Sequence, residues 1–497
     1  MAKLLLGIDI GTSSSKGVLA RPDGTILATA VRPHDLSLPH PGWAEHDAET
    51  IWWADFLALC AELVAQAKDP IGAVCVSGIG PCLLPADAQG MPLRPAILYG
   101  IDTRATREIE ELTERYGADN ILVRCGSLLT SQAVGPKLAW LRRNEPKVWQ
   151  QTRHIFMASS FVVYRLTGEY VLDHHSASQC DPLYDLKENR WIEEWAGEIA
   201  PGLELPRLLW PSEVAGTVSE AAAQLTGIPP GTPVAAGTID AWAEAASVGV
   251  LQPGDLMLMY GTTMFMVEVV AKPRPHPGLW STAGVFRGTY SLAAGMATSG
   301  ALTAWLRNIA GNPPYETLLQ EAGQVRPGAD GLLMLPYFAG ERTPLFDPDA
   351  RGVICGLTLS HGRGHLYRAA LEATAYGVRH ILETMRDAGG GGTRLVAVGG
   401  GTKGGLWTQV VSNVIGRPQV LPAETVGASY GDAMLAGIAG GLSEPGATWN
   451  STAAVIEPDA LTHNVYEELY GLYRELYPAT RTIAHSLADM QKKTPGI

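Results

Sequence analysis

No stretch of this sequence stays apolar for the roughly 20 residues that a membrane-spanning helix needs. Its first residues also lack the charged-then-apolar pattern of a secretory leader. Cysteine is scarce. Cys60, Cys75, Cys82, Cys125, Cys180 and Cys355 show no metal-ligand spacing, which speaks against a zinc module, and a reducing cytoplasm suits them. Positive charge is in deficit: 37 Lys and Arg stand against 50 Asp and Glu, a net charge of −13. With nothing to neutralise a phosphate backbone or an anionic bilayer, neither nucleic acid nor membrane is an expected partner. Low-complexity tracts are missing too. A hydrophobic fraction of 46% with 18% charged residues describes a folded chain, and 497 residues are too many for one ordinary core.

Glycine and proline, at 56 and 34 residues, are plentiful and punctuate short apolar runs. "IGAVCVSGIGPCLLPAD" and "RPAILYGID" read as strands that end in turns. "ETIWWADFLALCAELVAQA" and "LYRAALEATAYGVRHILETM" read as helices, with apolar residues three and four apart. Alternating strands and helices imply α/β architecture. In "LLLGIDIGTSSSKGVLARPDGTILA" a buried strand enters Gly-Thr-Ser-Ser-Ser-Lys and returns as strand, so Gly11 to Lys16 is a hairpin tip. Bare amides, hydroxyls, Asp9 and Lys16 together suit a phosphate and a metal ion, and equally an ordinary polar turn. "GDLMLMYGTTMFMVEVV" repeats the pattern, with Gly261-Thr262-Thr263 mirroring Gly11-Thr12-Ser13. Two such hairpins, each near the start of a half-chain, predict a duplicated domain. The Gly- and Pro-broken stretch from Ser247 to Asp255 is the expected linker.

Two further places carry chemistry. Gly399-Gly400-Gly401 joins a strand to a helix and lays bare backbone against something flat or anionic, without the Lys and Ser/Thr of a P-loop. Asp240, in "PVAAGTIDAWAEAA", stands where a strand enters a helix. It is there either as a helix cap or as a general base at a strand end beside a cleft.

Eight segments now stand in order: "GIDIGTSSSKGVL", "PGWAEHDAETIWW", "AILYGIDTRA", "AAGTIDAWAEAASVGV", "YGTTMF", "PYFAGERTPLFDPDARGVICGLTLSH", "RAALEATAYGVRHILETM" and "VGGGTKGGLWTQVVSNVIGRP". In this order they resemble the FGGY carbohydrate kinases over nearly the whole chain. The "GERTP…DPDARG…GLTLSH" block is most similar to xylulokinases. The resemblance implies two actin-like, hexokinase-like (ribonuclease H-like) α/β domains with a cleft between them, at 1–247 and 254–497. It implies ATP and Mg²⁺ as cofactors. Gly11, Thr12, Ser13 and Lys16 would meet the phosphates from one side and Gly261, Thr262 and Thr263 from the other. Gly300, Gly400, Gly401 and Gly405 would line the nucleotide. Asp9 would sit by the magnesium ion, through water. Asp240 matches the catalytic aspartate, and Trp43, Gly80, Pro81, Tyr99, Asp102 and Asp240 would shape the sugar pocket.

The chain also departs from that pattern. Xylulokinases usually carry Gln-Met-His-Gly after the Ser-Gly that matches Ser77-Gly78, and glycerol kinases an Arg-Glu pair. This chain has Ile79-Gly80-Pro81-Cys82, and Tyr99 stands where tryptophan is more frequent. The expectation is therefore a cytoplasmic ATP-dependent kinase of a small sugar, with D-xylulose first. Ribulose, a pentitol or an erythritol-like tetritol stay open, as does a homodimer. A non-catalytic actin-like nucleotide binder is the rival from another class.

Overall fold

The computed structural model describes residues 3–493. Contacts gather the chain into two compact units, each discontinuous. The first comprises Met1–Pro253, Val269–Ser291 and Val426–Asn450. The second comprises Gly254–Glu268, Leu292–Thr425 and Ser451–Ile497. The first passage between units falls at the Gly- and Pro-broken stretch. The later passages have no such signature.

The first unit is built on strands β1 (Leu4–Ile10), β2 (Ser14–Ala20), β3 (Ile26–Pro33), β4 (Ile71–Gly78), β5 (Val214–Thr217), β6 (Pro233–Ala235) and β7 (Thr238–Ile239). They lie in the order β5–β6–β4–β1–β2–β3, with β7 also on β4. The β1–β2 pair is an antiparallel hairpin, and β4 runs parallel to β1. All seven residues of β1 are buried because both faces of the sheet are covered. Leu4, Leu6, Ile8 and Ile10 join a core with Trp52, Phe56, Leu59 and Phe161. Leu5 points the other way, with Val18, Ala73, Cys75 and Ala235, onto Tyr430, Ala433 and Ala436 of the helix Ala428–Ala439. Gly7 lets that helix approach: a Cβ there would collide with the backbone of Ser429 and Ala433.

The second unit repeats the plan. Its strands are β8 (Asp255–Tyr260), β9 (Met264–Val270), β10 (Tyr290–Met296), β11 (Arg394–Val398), β12 (Gln419–Pro422) and β13 (Thr452–Ile456), in the order β10–β9–β8–β11–β12–β13. Again the first pair is an antiparallel hairpin, the next strand is parallel to its first arm, and the far edge strand is antiparallel. The duplication expected from two Gly-Thr hairpins is thus a duplicated sheet. Both units have the ribonuclease H-like, actin-like plan.

Five cysteines are buried and Cys355 is exposed. No helix among the described residues is long and apolar enough to cross a membrane.

Candidate active site

In the first unit the hairpin tip is Gly11–Ser13. Lys16 belongs to β2 rather than to the tip, and pairs in register with Asp9. Asp55 braces the tip from behind. Its carboxylate accepts a hydrogen bond from Ser15 at 2.7 Å and pairs with His34 at 2.8 Å. The other His34 nitrogen lies 3.1 Å from the Gly11 carbonyl oxygen. Burial alone would lower the pKa of His34; the Asp55 hydrogen bond and charge outweigh it and hold the ring above its ordinary value.

Asp9 is only 7% exposed. Its Oδ1 has no hydrogen-bond partner among the described residues. Asp240 begins the helix Asp240–Ser247, directly after β7. Because β7 and β1 both run parallel to β4, Asp9 and Asp240 emerge at the same, C-terminal end of these strands. The helix N-cap is Ile239, and the Asp240 carboxylate accepts the N–H of Ala241 at 2.7 Å. Capping therefore does not account for the whole side chain. Glu244 follows one helical turn later, on the same face.

Burial first, then the charge of Asp240, keeps Asp9 protonated to well above the usual carboxylate range. Burial likewise raises Asp240, with Glu244 adding to it, and raises Glu244. Lys16 is the cation that draws all three downward. Asp432, in the helix behind β1, accepts from the Ser77 hydroxyl at 2.7 Å. Burial in the first place, and Asp9 after it, raise its pKa too. An unpartnered carboxylate oxygen beside other carboxylates suits a hard divalent cation. No three acidic groups among the described residues close around a metal by themselves, so Mg²⁺ would share its shell with water and phosphate oxygens.

The expected sugar wall lies in the same unit. Gly80 packs on Ile239, the residue before Asp240. Pro81 leads to Cys82, whose thiol feels both the charge of Asp240 and the Tyr99 backbone. Asp102 is buried, and its N–H donates to the Tyr99 carbonyl at 2.9 Å. Its two oxygens accept from Arg104 (2.7 to 3.0 Å) and from the Ala44 N–H (2.7 Å). Arg104 stacks over the Trp43 ring at 3.9 Å. Asp102 thus holds Arg104 and the Trp43 turn in place.

In the second unit the tip Gly261–Thr263 joins β8 to β9. The helix Gly300–Ile309 starts against it: the N–H of Gly300 donates to Gly261 O and that of Ala301 to Thr262 O, both at 3.0 Å. A Cβ on Gly300 would fall 2.5 Å from Gly261 O, which is why the position takes glycine. On the other side of β8, Gly399 and Gly401 lie against Tyr260. Gly400 is exposed and Gly405 opens the helix Leu406–Ile415. The fold so brings Gly261, Thr262, Thr263, Gly300, Gly400, Gly401 and Gly405 to one end of one sheet.

The profile of the FGGY family of carbohydrate kinases, N-terminal domain, matches residues 4–249, and that of its C-terminal domain matches residues 256–440. The chain belongs to the FGGY family of carbohydrate kinases. A solved xylulose kinase from Rhodospirillum rubrum is 34% identical, with a TM-score of 0.91 over 97% of this chain and 100% of that one. Xylulose kinase of Bacillus subtilis (strain 168) is 28% identical over 99% of this chain and 100% of its own length. Glycerol kinase of Nocardia farcinica is 32% identical over 90% of this chain and 93% of its own. The kinase family is shared among these relatives while their named substrates differ.

Glu244, Arg104 and Asp432, like His34 and Asp55, escape the sequence reading. Glu244 could have been found, since it stands four residues after Asp240 on a helix. Arg104 gives no signal, being one arginine in a loop. Asp432 is brought to Ser77 only by the tertiary fold, across hundreds of residues of chain.

Proposed function

We propose that this FGGY kinase transfers the γ-phosphoryl group of ATP to a terminal hydroxyl of a ketopentose, D-xylulose before others. The observation that carries the kinase chemistry is Asp240 at a strand end, its pKa raised by burial, beside the unpartnered oxygen of Asp9. Asp240 takes the proton of the attacking hydroxyl, and a base of raised pKa does this near neutral pH. Lys16 and the amides of the first hairpin tip face phosphate oxygens, as do Thr262 and its neighbours. The reaction asks mostly for positioning and charge stabilisation. Mg²⁺, when bound by Asp9 through water, neutralises phosphate charge.

Support for the substrate comes from two relatives named for xylulose and from similarity along the full chain. The apolar wall Ile79-Gly80-Pro81 and the 32% identity to a glycerol kinase favour a second reading, a smaller polyol. An ADP-release screen with Mg²⁺ over D-xylulose, D-ribulose, pentitols, tetritols and glycerol decides. The highest kcat/KM is expected on D-xylulose. A higher value on glycerol or a tetritol would overturn the substrate, and no turnover of any of them would overturn the enzyme reading.

A further inference from the structure

Away from the carboxylates that face Lys16, the first unit holds a buried acid with no visible counter-charge. Asp181 is 5% exposed, and its Oδ1 has no hydrogen-bond partner among the described residues. No Lys, Arg or His forms an ion pair with it there, and burial pushes its carboxyl pKa well up, so that it ionises only if a positive charge comes to it. A buried carboxylate without a partner is expensive. The nearest helix does not balance it. At the start of the helix Val134–Asn144 the N–H of Val134 is spent on Gln179 O at 3.3 Å, and that of Gly135 on the Asp181 carbonyl at 2.9 Å.

Asp181 lines a cavity of about 10 Å³. That is close to the room taken by one water or one small ion. A second buried oxygen without a partner, Thr282 Oγ1, lines the same cavity. Ser127, Thr130 and Gln179 add polar groups to the wall, and Leu128, Ala133, Trp280 and Gln132, whose Oε1 is engaged by Gly100, complete it. A lone carboxylate among hydroxyl and amide oxygens suits a hard cation, and one negative charge is matched by one positive charge.

We propose that Asp181 and Thr282 hold a single small monovalent cation, K⁺ or Na⁺, in this cavity. The site adjoins the pocket that the proposed kinase reaction uses, because Gln132 Oε1 accepts the N–H of Gly100 at 3.1 Å and Ser131 donates to Gly100 O at 2.9 Å. Gly100 lies between Tyr99 and Asp102. Filling the cavity therefore fixes the loop that carries them. The binding claim itself does not rest on the identity of the sugar.

The test compares the full-length protein in KCl, NaCl and tetramethylammonium chloride at equal ionic strength. Tetramethylammonium is too large for the cavity. Thermal melting should rise in K⁺ or Na⁺ over tetramethylammonium, and the two metal arms identify the ion. Asp181→Asn keeps the shape and removes the charge, so its melting temperature should be the same in all three salts. Crystals grown with Tl⁺ should show an anomalous peak within bonding distance of Asp181 Oδ1. Equal melting of the parent protein in all three salts, or no Tl⁺ at Asp181, overturns the proposal. So does an Asp181→Asn variant that keeps the full response. None of these readouts needs turnover, so they stay valid if the sugar assignment fails.

Discussion

Asp240 has two carboxylate oxygens, and the amide of Ala241 engages Oδ1. Asp240→Asn preserves that hydrogen bond and removes the proposed base. The rate should fall roughly 10²- to 10⁴-fold, as general-base loss does. Melting should stay within about 1 kcal/mol of the parent, the size of a helix-cap effect. Near-normal turnover of the folded variant would return Asp240 to a purely structural role. The same residue sets a pH dependence. A base works when deprotonated, and burial raises the Asp240 pKa above the ordinary carboxylate value of about 4. Activity should therefore be complete on the alkaline side and be lost as pH falls through the raised value. The acid limb of kcat/KM should lie well above pH ~4. In Glu244→Gln, which removes a neighbouring negative charge, that limb should move to lower pH. A limb that stays put would show that Glu244 does not act on Asp240.

Helices, strands and turns decide which glycines and hydroxyls the two hairpin tips present. Thr262 stands on the second hairpin tip and its backbone receives the first amides of the Gly300–Ile309 helix. Thr262→Val keeps shape and removes the hydroxyl, so KM for ATP should rise while KM for the sugar changes little. Gly300→Ala should act in the same direction. The added Cβ would sit 2.5 Å from a backbone oxygen of Gly261, so the tip has to move. Equal ATP affinity in both variants would separate this tip from the nucleotide. At this scale the sequence is highly informative. The two hairpins, the glycine turn before Leu406 and the strand-to-helix entry at Asp240 are visible because turn chemistry and apolar periodicity are local. The position of Lys16 within β2 and the bracing of Gly11 by His34 and Asp55 are not. They depend on strand register and on a helix packed behind the sheet.

For the whole molecule the sequence suggests one cut, near residue 250, and the contacts require more. The helix Ala428–Ala439 covers Leu5, Val18, Ala73, Cys75 and Ala235 of the first unit. A fragment ending at residue 253 would leave that face bare. Losing the burial of Leu5 and Val18 alone amounts to about 4 kcal/mol, against roughly 5–15 kcal/mol for a typical domain. The fragment 1–253 should therefore show no cooperative thermal transition of its own. A sharp melt like that of the full chain would mean the helix is dispensable. No composition signal near residue 426 announces this return, since a short linker looks like any other loop. Cysteine burial has a practical outcome at the same scale. Cys60, Cys75, Cys82, Cys125 and Cys180 are enclosed, while Cys355 ends a strand at the surface. A maleimide dye added to the native protein should attach at Cys355 alone. That gives a fluorescent reporter on the second unit without any prior mutagenesis.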